Sequence, residues 1–204
     1  MTLGTIVLTI TLLLALQPIT TDLYLPVLPT LQRELGVGIG AIQATLLALI
    51  ICFGLGQLVC GPLSDRFGRR PVLLCGMARY TFASLLRAAS QTIAALVGWR
   101  ALQGAALATA VTCGRSIVRD LFVLNDGARV MSRARDGLGV VGMRAPVDGG
   151  VLTRLFDWHA AMLSTAVAGV GALLYAPARH YCAAPGACCS PTRPLLPRGS
   201  RATR

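Results

Sequence analysis

The sequence has no lysine, only 8 acidic residues, and aromatics at 5% of its 204 positions. Charged residues make up 13% of the chain, where a soluble globular domain carries about a quarter. With so little charge and 54% hydrophobic residues, the chain is not an ordinary soluble domain. Its two histidines, His159 and His180, are isolated. No nucleophile–base pair and no Gly-rich phosphate loop accompany them, so an enzyme is not expected. The seven cysteines form no Cys-x-x-Cys pair and have no histidine at zinc spacing, which removes the case for a metal site. No cofactor is implied. Cys52, Cys60, Cys75 and Cys113 lie in apolar segments and are expected to be small core residues. The apolar start, Leu3 to Leu16, lacks a basic lead-in and a small-residue cleavage site, so it is expected to be a first helix and not a signal peptide.

What is present is a series of long apolar runs punctuated by arginine. All 19 basic residues are Arg and the net charge is +11. They gather at the ends of apolar runs and not on one basic face, so membrane topology, and not nucleic acid, accounts for them. About 20 apolar residues cross the hydrocarbon core as a helix. Six spans are predicted, at about 3–28, 41–60, 72–90, 93–114, 130–152 and 160–176. The fold class is thus an all-α membrane protein of residues 1–176 with six transmembrane helices. The tail, 177–204, holds five Arg, three Cys and five Pro without helical periodicity and is expected to be disordered.

Several details qualify this pattern. Pro18 and the stretch Thr21 to Pro26 interrupt the first span, Arg79 and Arg87 fall in the third, and Arg100 falls in the fourth. The fifth is Gly-rich and carries Arg135, Asp136, Arg144 and Asp148, so its insertion is marginal. Loops are expected at 33–40, 61–71, 115–129 and 153–159. Phe156-Asp157-Trp158 has the character of an aromatic anchor at the outer interface. Eleven arginines (66, 69, 70, 115, 119, 129, 179, 193, 198, 201 and 204) fall on one side of this layout, against three (33, 87 and 154) on the other. Cytoplasmic loops are enriched in Arg, so both termini are expected in the cytoplasm of a bacterial inner membrane protein.

The 61–71 turn carries the most specific motif. Gly61-x-Leu63-x-Asp65-Arg66-x-Gly68-Arg69-Arg70 resembles the loop between helices two and three of major facilitator transporters. Gly61 and Gly68 are expected to permit the reversal, and Asp65 to pair with an arginine or cap a helix. Thr21-Asp22-Leu23-Tyr24-Leu25-Pro26, Arg100-x-x-Gln103-Gly104 and Arg115 to Phe122 resemble drug:proton antiporters of the bicyclomycin and chloramphenicol resistance type. Gly139-x-x-Gly142-x-x-Ala145-Pro146-x-x-Gly149-Gly150 is similar to that group's Gly/Pro motif, with Ala145 where many members have Gly. The small residues allow close helix packing and Pro146 would kink the helix.

The resemblance implies proton-coupled efflux of small amphipathic drugs across the bilayer. Asp22 is the only acid within the first four spans, and burial in a membrane raises a carboxyl's pKa, so it is the candidate proton coupler. Arg100 would tune it. The loop with Gly61, Asp65, Arg66, Gly68, Arg69 and Arg70 would gate the cytoplasmic side. Complete members of this family carry twelve helices in two six-helix halves. The chain therefore looks like an N-terminal half, truncated or read out of frame near residue 176. It would need a C-terminal half or a parallel homodimer to enclose a cavity. The competing expectation is a membrane remnant that transports nothing.

Overall fold

The structure, a computed structural model, describes residues 3–90, 92–121 and 124–180. The expected tail lies outside them from residue 181 onward. The described residues are helical throughout: α1 (Leu3–Asp22), α2 (Leu28–Leu35), α3 (Ile39–Phe67), α4 (Arg69–Ala88), α5 (Ile93–Leu121) and α6 (Leu124–His180). A single 3-10 turn, Leu25–Val27, joins α1 to α2.

Pro26 explains the break after α1. It has no N–H to bond the Asp22 carbonyl, and its ring clashes with the carbonyl four residues back. Asp22 is accordingly the last residue of α1. The reversal between α3 and α4 is tighter than the expected 61–71 loop. Gly61 lies inside α3, α4 starts at Arg69, and only Gly68 stands between the helices, at φ 86°. That conformation is open to glycine and costly for other residues. Pro71 falls in the first turn of α4, where an amide without hydrogen does no harm.

The 115–129 loop is also shorter than expected, because α5 continues to Leu121 and α6 begins at Leu124. A polar sequence does not end a helix; it lets one project beyond the apolar region. The expected 153–159 loop is helical as well, within α6. No Gly or Pro stands between Val151 and Ala160 to break it. Even so, α6 cannot be straight. A Cβ at Gly142 would lie 3.9 Å from Pro18, while one at Gly169 would lie 2.8 Å from the Tyr80 ring. The Tyr80 hydroxyl in turn bonds Thr20, 2.6 Å away. A straight helix would hold residues 142 and 169 about 40 Å apart. The two halves of α6 therefore fold back, the first running along α1 and the second along α4.

Of three apolar clusters among the described residues, two flank the middle of the bundle. One joins Leu13, Leu73, Met77, Leu107 and Ala172. The other joins Leu23, Val27, Ile42, Leu96 and Met162. Along α1 and α4 the first cluster precedes the second in sequence, whereas along α5 and the second half of α6 the order is reversed. Consecutive segments thus run antiparallel, whereas α3 lies parallel to α5, with Leu49 against Gly104 and Gly56 against Ala108, and the first half of α6 lies parallel to α1, with Gly142 against Pro18 and Gly149 against Leu23. Close approach depends on small residues: a Cβ on Gly104 of α5 would collide with the Leu49 carbonyl of α3. Residues of this size let helix backbones touch and gain dispersion contacts where no water drives association.

Among the described residues, three stretches are long and apolar enough to cross a membrane: Leu8–Leu35, Ile39–Phe67 and Ile93–Ser116. Trp158–Leu174 is apolar but shorter. Helix α4 carries Arg69, Arg70, Arg79 and Arg87.

Candidate functional site: a buried polar layer around two arginines

Between the two apolar clusters lies a layer of polar side chains contributed by α1, α4, α5 and α6. At its centre Arg100 of α5 is 0% exposed and Arg87 of α4 is 1% exposed. Both guanidiniums donate to the same oxygen, Gln103 Oε1, at 3.1 Å from Arg87 and 3.4 Å from Arg100. The donating nitrogens therefore lie within about 6.5 Å of each other. Two positive charges at that range repel by about 3 kcal/mol at an effective dielectric of 20.

The surroundings offset part of that cost. Arg87 Nη2 donates to Thr165 Oγ1 at 2.9 Å, which ties α4 to the second half of α6. Gln103 Nε2 donates to Ser84 Oγ at 2.7 Å, and this bond fixes the amide so that its oxygen faces the arginines. Arg100 Nη1 donates to the Thr20 carbonyl at 3.3 Å. In an uninterrupted helix that carbonyl would accept from residue 24, so the arginine occupies an acceptor left over by the break that Pro26 imposes. Tyr24, in the turn after α1, lays its ring 3.6 Å from the Arg100 guanidinium carbon and 5.8 Å from that of Arg87. Its hydroxyl meets Thr45 of α3 at 3.0 Å.

Asp22 and Arg100, expected to act together, form no ion pair among the described residues. The Thr21 hydroxyl donates to Asp22 Oδ1 at 3.0 Å, and a Cβ on Gly142 would sit 3.8 Å from Asp22 Oδ2. Two residues along a helix turn the side chain by about 200°. Asp22 consequently faces the first half of α6, while Thr20 faces the arginines. The half-buried carboxylate stands about 21 Å along the stretch that begins at Leu8, near its middle.

The Gly/Pro stretch lies against the α1 break. Gly149 abuts the Leu23 carbonyl closely enough that a Cβ would collide with it, and a Cβ on Gly150 would lie 3.9 Å from Pro26. Pro146 is exposed within α6. At the α3–α4 reversal, Arg69 pairs with Asp65 at 3.9 Å, and Asp65 is 63% exposed. Arg66 lies over the Phe67 ring. Arg70 is exposed. A groove of about 570 Å³ opens between α3, α4 and α5, lined by apolar residues together with Arg79.

Some placements differ from those expected. Arg87 belongs to the buried layer and not to an outer loop. Trp158 is buried against α2, its indole donating to Glu34, while Phe156 is 70% exposed. Trp158 therefore clasps two elements and does not anchor in an interface. Cys60 and Cys113 are buried, but Cys75 is exposed and Cys52 half-exposed, both in the groove. Sequence reasoning missed Arg87, Thr165, Tyr80, Ser84 and Thr20. The only available signal was that Ser84 and Arg87 share a helix face at i and i+3.

A chain whose described elements are all helices, with membrane-length apolar stretches and a polar layer sealed inside, is a multi-pass membrane protein. The family follows from comparison: the chain belongs to the Major Facilitator Superfamily, whose family model matches residues 10–184. It is a transporter family, and the chain is accordingly not an enzyme. Multidrug resistance protein D of Escherichia coli (strain K12) is 32% identical over 158 residues, covering 78% of this chain and 40% of that protein. The bicyclomycin resistance protein homolog of Haemophilus influenzae is 29% identical over 164 residues, 80% of this chain and 41% of its own length. The chloramphenicol resistance protein of Pseudomonas aeruginosa is 34% identical over 140 residues, 68% and 33%. The chain thus spans about two-fifths or less of the length of these relatives.

Proposed function

We propose that the chain supplies the first six-helix half of a proton-coupled exporter of small amphipathic drugs. The six spans are α1 with α2, α3, α4, α5 and the two halves of α6, crossing a bacterial inner membrane with both termini inside. The observation that carries this reading is Asp22, an acid at a helix break near the middle of a membrane-length stretch, in a chain similar to named drug-resistance proteins. A carboxyl there sits at the negative end of the α1 dipole in a poorly hydrated setting. An acid so placed is what a proton carrier in the membrane requires.

Arg100 acts on this acid through the backbone. It holds the Thr20 carbonyl and the Tyr24 ring on either side of Asp22, and so governs the geometry of the break. The 61–70 segment closes the cytoplasmic side, where Asp65 and Arg69 span the single-residue reversal. Gly142, Gly149 and Gly150 let the first half of α6 lie against the break, with Pro146 available as a kink. The cavity is completed by a second six-helix half or by a second copy of this chain.

Expression in an efflux-deficient bacterium, both alone and together with the C-terminal six-helix half of a similar drug-resistance protein, tests the proposal. Tolerance to amphipathic drugs should rise, and Asp22→Asn should abolish the gain while leaving the protein in the membrane. An unchanged tolerance in both settings with confirmed insertion, or a gain that survives Asp22→Asn, would overturn it.

A further inference from the structure

Arg87 and Arg100 share one neutral acceptor, and among the described residues neither forms an ion pair. Guanidiniums remain protonated even when buried, so both charges are present. Three of their nitrogens, Arg87 Nε, Arg100 Nε and Arg100 Nη2, are buried without a hydrogen-bond partner. The Tyr24 ring does not supply one. It covers the face of the Arg100 guanidinium, whereas the N–H bonds radiate in the plane of the group. Buried charges are ordinarily paired, and unpaired donors in such a place are costly.

From this we propose that the polar layer binds a small monovalent anion, of halide size, between Arg87 and Arg100. The size follows from the enclosure. Thr20, Tyr24, Tyr80, Ser84 and Thr165 around the pair are all at most 2% exposed, so the layer admits no bulky ligand. An anion there would join α4 and α5 through the arginines, with Thr165 of α6 and Thr20 of α1 already attached. Four segments would then be held at one level by a single ion. The inference is independent of drug efflux and goes beyond it, since it is read from binding and not from transport.

The test uses the purified full chain in detergent, followed by circular dichroism on heating. Sodium gluconate is replaced stepwise by sodium chloride or bromide at constant ionic strength. Either halide should raise the melting midpoint by about 5 °C and then saturate, as expected of a ligand that binds only the folded state. Arg87→Gln should lose most of that shift. Gln103→Glu places a fixed carboxylate where both guanidiniums already converge. This variant should melt high in gluconate and gain nothing from halide. Equal midpoints for the natural chain in gluconate and halide would overturn the proposal. So would a full halide shift retained by Gln103→Glu, a result that decides the matter even if Arg87→Gln fails to fold.

Discussion

At the scale of single residues, position in the motif and position in the fold diverge. Gly61 and Gly68 stand alike in the sequence motif, yet a Cβ on Gly61 meets nothing within 4 Å, while Gly68 sits at φ 86°. Gly61→Ala should therefore raise stability by up to about 1 kcal/mol, because alanine is the better helix former. Gly68→Ala should lower it by about 1–3 kcal/mol. Thermal midpoints of the purified variants in one detergent check both signs. Gln103 gives a second contrast. Gln103→Leu keeps the volume but removes the acceptor of two buried arginines, with an expected loss of about 3 kcal/mol. The motif Arg100-x-x-Gln103-Gly104 was legible in the sequence, but its partner Arg87 was not. A lone arginine near the predicted end of a span looks the same whether it turns toward water or toward a neighbouring helix.

At the scale of elements, the close crossings matter more than the ion pairs. Gly149 permits α6 to touch the Leu23 carbonyl, so Gly149→Val should cost about 3 kcal/mol and reduce the folded yield in membranes. Asp65→Asn should change stability by less than about 1 kcal/mol, since the Asp65–Arg69 pair is long and its acid is mostly in water. A strong effect of Asp65→Asn on export, with the thermal midpoint unmoved, would assign that acid to gating. The loops expected at 115–129 and 153–159 show what composition cannot tell. Polar residues mark where the chain leaves the apolar region, but they do not by themselves end a helix: α5 runs on past Arg115 to Leu121, and α6 runs through Arg154.

At the scale of the whole molecule, the alternation of segment direction sets which ends share a side. Arg66 and Gly38 lie at opposite ends of α3, both exposed. In intact cells an impermeant maleimide should label a single cysteine at position 38. It should reach one at position 66 only after the membrane is opened. The reverse pattern would invert the proposed topology. The groove between α3, α4 and α5 and the exposed apolar side chains along α3, such as Leu47, Leu55 and Leu58, belong to the same scale. Such a surface suits lipid or a further helical segment.

The sequence by itself determined that this chain lives in a membrane, which family it resembles, where its first helix breaks, and which acid interrupts its otherwise uncharged first stretch. Those properties are local: apolar length, a proline without an amide hydrogen, a short motif, a charge in an uncharged run. Only the tertiary structure decided that Arg100 turns from Asp22 toward Arg87, that Trp158 is sealed against Glu34, and that α6 doubles back beside α1 and α4. These depend on how each helix is rotated about its own axis against several neighbours at once, and no single stretch of sequence encodes that rotation.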